Sequence, residues 1–189
     1  MFSSKIDDEC ELRLIEPADA EALSALINEN FEHIREWSGW LNEKQRPIGR
    51  TREWIDENRF RFAGGSGFEM AIWHRGKMAG QIGYNYFDRE NRRTELGYWL
   101  AASFQGKGLV TKSCRALITN AFETLNMNRV EIRCGAKNLK SRKIPENLGF
   151  KKEGTARQAE WLHDRFIDLV VYSMLANDWK DRASRIVLR

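Results

Sequence analysis

Apolar positions along the chain follow two rhythms, one of period two and one near 3.6, and the changes between them mark the elements. Glu11 to Ile15 reads as a short first strand. Glu16-Pro17-Ala18-Asp19 then has the marks of a helix start, with proline in the first turn and acids near the positive helix end. Leu23, Leu26, Ile27, Phe31 and Ile34 recur at helical spacing, which predicts one amphipathic helix to about Ile34. A polar segment with Pro47 and Gly49 follows, flanked by Trp37, Trp40 and Trp54, and a second helix is expected from Arg52 to Phe62. Gly64 to Gly67 is a loop.

Phe68 to Trp73, Met78 to Tyr86 and Thr94 to Leu100 read as three strands with short polar connections, an antiparallel meander. After Gly108 the rhythm changes. Val110, Cys114, Leu117, Ile118, Ala121, Phe122 and Leu125 form one stripe, hence a long helix. Arg129 to Ala136 alternates as a strand with one buried face. A short helix from Leu139 to Asn147 ends at Gly149, a natural C-terminal cap. Two more strands, Thr155 to Leu162 and Phe166 to Leu175, join through His163-Asp164-Arg165. The pattern is that of one mixed α/β (α+β) domain over 1–189, without repeat, low-complexity tract or linker.

Composition narrows the class. A chain of 189 residues is long enough to bury a core without staples. No apolar run approaches the ~20 residues of a spanning helix, and the start Met1 to Cys10 lacks a signal pattern. Cys10, Cys114 and Cys134 are scattered and odd in number, which argues for reduced thiols, a cytoplasmic location and no zinc site. The net charge of +4 is dispersed, so direct nucleic-acid binding is not expected, although a local anionic ligand is favoured.

The candidate chemistry lies where the strand Glu95 to Leu100 runs through Ala101 to Phe104 into Gln105-Gly106-Lys107-Gly108-Leu109-Val110-Thr111. A glycine-bearing turn at a helix start aims several backbone N–H groups one way and adds about half a positive charge. Glycine is needed because a Cβ would hold a phosphate off those donors. Lys107 adds a cation at the rim. The spacing is neither GxxxxGK[ST] nor GxGxxG, and by itself it also fits a turn that needs glycine for backbone reasons alone.

Further along stand Asn138-Leu139-Lys140-Ser141, Pro145-Glu146 and Leu148-Gly149-Phe150, and later Asp168, Tyr172 and Ser173. Together with Glu95 to Leu100 and Phe104 to Gly108, these resemble the GNAT superfamily of acetyl-CoA-dependent N-acetyltransferases. They are most similar to the branch that acetylates ribosomal-protein N-termini. The resemblance covers the chain from Glu11 to about Trp179. It implies a central mixed, mostly antiparallel sheet of about seven strands, splayed at the cofactor site and flanked by about four helices. It implies acetyl-CoA as co-substrate and no metal.

By the same resemblance, the pantetheine arm enters the gap between the Glu95 to Leu100 strand and the strand beginning near Arg129. There it pairs with backbone of Tyr98, Trp99 and Leu100. The pyrophosphate sits on the N–H groups of Gln105, Gly106, Lys107, Gly108, Leu109, Val110 and Thr111. Asn138 bonds the arm, and Ser141 lies near the sulfur. Two positions depart from the family pattern. Val110 replaces a small residue, and Pro145 stands where many members place a proton-donating tyrosine, which leaves that task to Ser141.

Amide formation needs a neutral amine, and a protein α-amine with pKa about 7.7–8.0 is far easier to deprotonate than lysine at about 10.4. Glu95 is the candidate base, through an ordered water, and backbone N–H groups near Tyr98 to Leu100 polarise the carbonyl. Attack is direct, in a ternary complex. The alternative for Glu95 is an ion pair with Arg92 or Arg93, and for Ser141 a capping role. Cys134 reads as a buried strand thiol, and His33, His74 and His163 as surface or turn residues. Trp37, Trp40 and Trp54 are expected to line the acceptor slot, with Glu36, Glu43 and Glu53 attracting an amine; core packing or a homo-oligomer contact is the alternative. The expected acceptor is a protein N-terminus. A small-molecule amine (polyamine, amino acid or antibiotic), or a non-catalytic acyl-CoA-binding module, stays open.

Overall fold

The period-two segments pair edge to edge into one sheet of eight strands, and the period-3.6 segments cover its two faces. The computed structural model describes residues 3–180, so the expected domain of 1–189 runs past the described residues at both ends. In chain order the elements are β1 (Ser3–Lys5), β2 (Cys10–Leu14), α1 (Ala20–Glu29), α2 (Phe31–Arg35), α3 (Ile48–Gly64), β3 (Phe68–His74), β4 (Lys77–Asp88) and β5 (Arg93–Leu100). Then follow α4 (Leu109–Glu123), β6 (Arg129–Gly135), α5 (Leu139–Leu148), β7 (Lys151–Leu162) and β8 (Arg165–Leu175). The strands lie in the order β1-β2-β3-β4-β5-β6-β8-β7, antiparallel throughout except for the parallel pair β5–β6.

Four differences from the pattern reading have local causes. β1 adds a strand because Asp7 Oδ1 accepts from the N–H groups of Glu9 and Cys10 (2.9 and 2.8 Å) and closes a hairpin whose Ser3–Lys5 arm has no apolar position to announce it. The helix expected to reach Ile34 breaks at Asn30, whose side chain donates to Leu26 O at 3.0 Å and accepts from Ala102 N at 2.9 Å. That second bond ties the α1–α2 corner to the end of β5. α3 starts early, at Ile48, because Pro47 stands in extended conformation at its N-cap. β7 starts at Lys151 rather than Thr155, since bulges near 153 and 157–159 spoil its alternation.

Side-chain alternation on the sheet sorts the core into two clusters. Leu12, Met70, Ile82, Tyr84, Leu96 and Val130 face α4 and α5 and meet Leu117, Ile118 and Leu148. Ala71 and Met78 face the other way and meet Leu23, Ile27 and Ile55 of α1 and α3, with Trp99 against them. Tyr84 is fully buried, and its hydroxyl donates to Leu117 O at 2.6 Å, pinning α4 to the sheet. Burial also holds its pKa well above the ordinary phenol value. His74 is buried at the end of β3 with its ring edge against Phe104, so the surface expectation fails there. We predict that Tyr84→Phe lowers unfolding free energy by about 1–2 kcal/mol, because the pinned α4 loses a buried hydrogen bond but no volume. Urea titration would show this as a lower midpoint at unchanged slope.

Candidate active site

β5 and β6 run together for three residue pairs only, Arg93↔Arg129, Thr94↔Val130 and Glu95↔Glu131. Beyond them β5 stays on β4 as far as Leu100, and β6 stays on β8 as far as Gly135. The sheet therefore opens as a V with its vertex at Glu95 and Glu131. A cavity of about 1520 Å³ occupies the opening, lined from both faces.

A row of charges closes the vertex. Glu131 is 3% exposed and lies between Arg129 Nε (2.8 Å) and Arg133 Nη2 (2.9 Å). Burial pushes its pKa up, but hydrogen bonds from the two arginines outweigh burial and hold it below the usual carboxylate value. Arg129 forks onto Glu153 at 2.7 and 2.6 Å, and Arg133 Nε stands 3.2 Å from Glu95 Oε2. Glu95 is not paired with Arg92, which bonds Asn126, or with Arg93, which bonds Asp88. Its second partner is Asn85 Nδ2 at 2.7 Å, the extra residue of a bulge in β4. Burial raises the Glu95 pKa, and Asn85 and Arg133 offset part of that rise.

Beside the opening, α4 begins at Gly108 in left-handed conformation (φ 70°), two residues after Gly106 (φ 77°), and no side chain caps it. Among the described residues, no atom beyond the chain neighbours stands within 4 Å of where a Cβ would sit on either glycine. Left-handed φ and open space on the ligand side both call for glycine, and the bare first-turn N–H groups face the cavity with Gln105, Leu109, Val110 and Thr111. Lys107 is not part of the lining; its ammonium stands over the Phe104 ring at 5.3 Å. Lys140 supplies a cation there instead, its Nζ 3.3 Å from Gln105 Oε1, and Lys137 and Lys143 line the same cavity. His33, expected at the surface, is half-buried and bridges Leu100 O (3.2 Å) and Gln105 Nε2 (2.9 Å).

Inside the V, Asn138 caps α5, its Oδ1 accepting from Ser141 N at 3.1 Å. That bond turns Ser141 inward, with Oγ 3.2 Å from Cys134 Sγ and 3.4 Å from Tyr98 Oη. Tyr98 in turn donates to Ser141 O at 3.1 Å, so a phenol from β5 reaches across the gap to α5. Cys134 is buried with its thiol pKa raised by burial, as its alternation predicted for a strand thiol.

On the other face, Trp37, Trp40 and Trp54 all line the cavity. Trp37 lies against Gly135, Trp54 packs on the α1–α3 cluster, and Trp40 is exposed at the mouth. Glu36 and Glu53 line it too, whereas Glu43 turns aside to Arg46 at 3.6 Å. Pattern reading missed Glu69, Arg133 and Glu160. Glu160 follows the β7 bulge where Gln158 takes φ 48°, and no period-two rule anticipates which way a side chain points after a bulge. Burial raises the Glu160 pKa and the charge of Glu95 raises it further. Among the described residues, no group of three or more His, Cys, Asp or Glu could hold a metal ion. No described helix is long and apolar enough to cross a membrane.

Comparison with known proteins agrees with this geometry. The model of the acetyltransferase (GNAT) domain family matches residues 10–151. The Bacillus subtilis (strain 168) protein YdaF is 38% identical over 180 residues, which cover 95% of this chain and 98% of YdaF. Among solved structures, the microcin C7 self-immunity acetyltransferase MccE, in complex with acetyl-CoA and AMP, superposes with a TM-score of 0.85 at 30% identity. That match covers 90% of this chain and 94% of MccE. The ribosomal L7/L12 alpha-N-protein acetyltransferase RimL, in complex with coenzyme A, superposes with a TM-score of 0.88 at 25% identity, covering 94% of this chain and 99% of RimL. The chain belongs to the GNAT acetyltransferase family, whose acetyl group comes from acetyl-CoA.

Proposed function

We propose that this chain acetylates the N-terminal α-amine of a protein of the ribosomal class, in the cytoplasm. The observation that carries the reading is the cavity mouth between the 36–40 segment and the β7–β8 hairpin. Gly39 there lies against Trp161 O, while the indoles of Trp40 and Trp161 stand about half exposed on the rim. A rim of exposed indoles suits an extended peptide more than a small amine engulfed on all sides. RimL's title as an alpha-N-protein acetyltransferase supports the same assignment. The acidic lining at Glu36 and Glu69 and the likeness to MccE favour, as a second reading, a small-molecule amine.

Acetyl-CoA supplies the acyl group on a thiol that leaves with a pKa of about 8.5. The N–H groups from Gln105 to Thr111 would hold its phosphates, with Lys140 beside them. The unpaired edge of Tyr98 to Leu100 would hold the pantetheine arm and polarise the carbonyl. Asn138 orients Ser141, whose hydroxyl donates to the departing sulfur. Two carboxylates face the amine. Glu95 is tethered by Arg133 and Asn85, whereas among the described residues no cation is paired with Glu160, whose proton affinity Glu95 raises. We therefore assign proton removal to Glu160, with Glu95 holding the amine or its water.

Four experiments test this reading. Purified enzyme, isotopically labelled acetyl-CoA and a cell extract should place label on a few protein N-termini by mass spectrometry. Label in small molecules alone would move the assignment to the second reading, and none at all, with acetyl-CoA still bound, to a binding module. Gly108→Val should weaken acetyl-CoA binding at least about tenfold by calorimetry, with a modest loss of melting temperature from left-handed strain. Glu160→Gln should lower kcat by about 10²–10³ at unchanged acetyl-CoA affinity. Because its pKa is raised, Glu160 gains its proton on acidification earlier than an ordinary carboxylate, so the acid limb of kcat lies above the usual carboxylate range. Glu95→Gln removes the neighbouring charge and should move that limb to lower pH.

A further inference from the structure

Three proton-bearing groups from three elements meet inside the V: Tyr98 Oη from β5, Cys134 Sγ from β6 and Ser141 Oγ from α5. All three residues line the cavity. Oγ stands 3.2 Å from Sγ and 3.4 Å from Oη, while Oη stands 3.1 Å from the Ser141 carbonyl. Each group has one proton to give, and where those protons go decides what the serine can do for a sulfur in the cavity.

The phenol has the clearest choice. Of its two neighbours the Ser141 carbonyl is nearer, and a carbonyl is an acceptor only, so the Tyr98 proton is spent there. A serine that gives its own proton to a sulfur still has lone pairs to fill, and of the three groups the Cys134 thiol is the one donor left to fill them. Cys134 is 3% exposed, and burial pushes its pKa up, so the thiol keeps its proton through the neutral range. A hydroxyl that accepts a bond gives a stronger one, because each bond in a chain polarises the next. The serine proton then has only its long contact to Oη to give up when a sulfur arrives. With no donor at 134 the hydroxyl rotor loses the partner that fixes it.

We propose that Cys134 is a positioning residue: its thiol donates to Ser141 Oγ and so leaves the serine proton for the sulfur of acetyl-CoA. This role rests on the one assigned to Ser141 above. As the amine nitrogen bonds the acetyl carbon and gives its proton to Glu160, the C–S bond breaks with its electron pair on sulfur. The serine stabilises that thiolate by a hydrogen bond, and no proton passes between them.

The test needs no acceptor. The full chain is saturated with coenzyme A isotopically labelled at the carbon next to sulfur, and the NMR shift of that carbon, followed against pH, gives the pKa of the bound thiol. Ser141→Ala should raise that pKa by about one pH unit, the size of one hydrogen bond to a charged group. Cys134→Ala should raise it by roughly a third as much, the share that a polarising neighbour adds. Cys134→Ser keeps a donor and should hold the wild-type value, and Cys134→Ala added to Ser141→Ala should raise the pKa no further. Cys134→Val tests the same contact if Cys134→Ala does not fold. A wild-type value in the Cys134 variants, or an equal rise from Cys134→Ala when Ser141 is already gone, would overturn the positioning role and leave Ser141 in place. A wild-type value in Ser141→Ala would overturn the role of Ser141 and this one with it.

Discussion

Everything in this molecule follows from the parting of β5 and β6. A sheet resists being opened along its middle, because each separated strand exposes a row of backbone donors and acceptors. The split is sustained here because each strand has a full partner on its far side. β5 pairs with β4 through Leu100, and β6 pairs with β8 through Gly135. The row Glu95–Arg133–Glu131–Arg129–Glu153 binds the closed end across three strands. Tyr98 then spans the gap to α5 through the Ser141 carbonyl, so the V has a definite width and is not a frayed edge.

The vertex also divides the cavity by charge. Lys137, Lys140 and Lys143 gather where the chain leaves β6 for α5, beside the bare N-terminus of α4. Carboxylates gather on the opposite face, at Glu36, Glu69, Glu95 and Glu160, with Glu53 there paired to Arg50. Arg133 sits between, and it neutralises Glu131 more tightly than Glu95. Under the proposed function, a phosphate-bearing ligand and an amine are thereby drawn to different ends of one cavity, and their reacting atoms meet at the split.

Much of this was legible in the sequence, and its limits are physical. Strands β3 to β6 and helix α4 carry strong periods, so the meander, the crossover and the glycine turn could all be placed. The cradle was read from its glycine turn, whereas Asn138 and Ser141 came from motif resemblance, and the structure adds a local reason for those two: Asn138 caps α5, and the cap turns Ser141 inward. What escaped depends on irregularity or on distance in the chain. Asn85 and Glu160 owe their direction to bulges that break the period. Arg133 meets Glu95 across 38 residues through a parallel pair that no local pattern announces.

The two core clusters explain how one such fold can serve different acceptors. The α4–α5 face, with Leu109, Val110 and Leu148 in its core, braces the cradle and the thiol end. The α1–α3 face, with Leu23, Ile27 and Ile55, braces Trp54 and Trp99 on the acceptor side. Since a strand's alternate residues belong to opposite faces, a change at 69, 81 or 83 reaches the acceptor side while 70, 82 and 84 keep the other side packed. Under the proposed function, the acceptor side can therefore vary without disturbing the cofactor side, provided β5 and β6 still part at the same residue. That condition separates the chemistry, which the split fixes, from the specificity, which the far face of the same strands supplies.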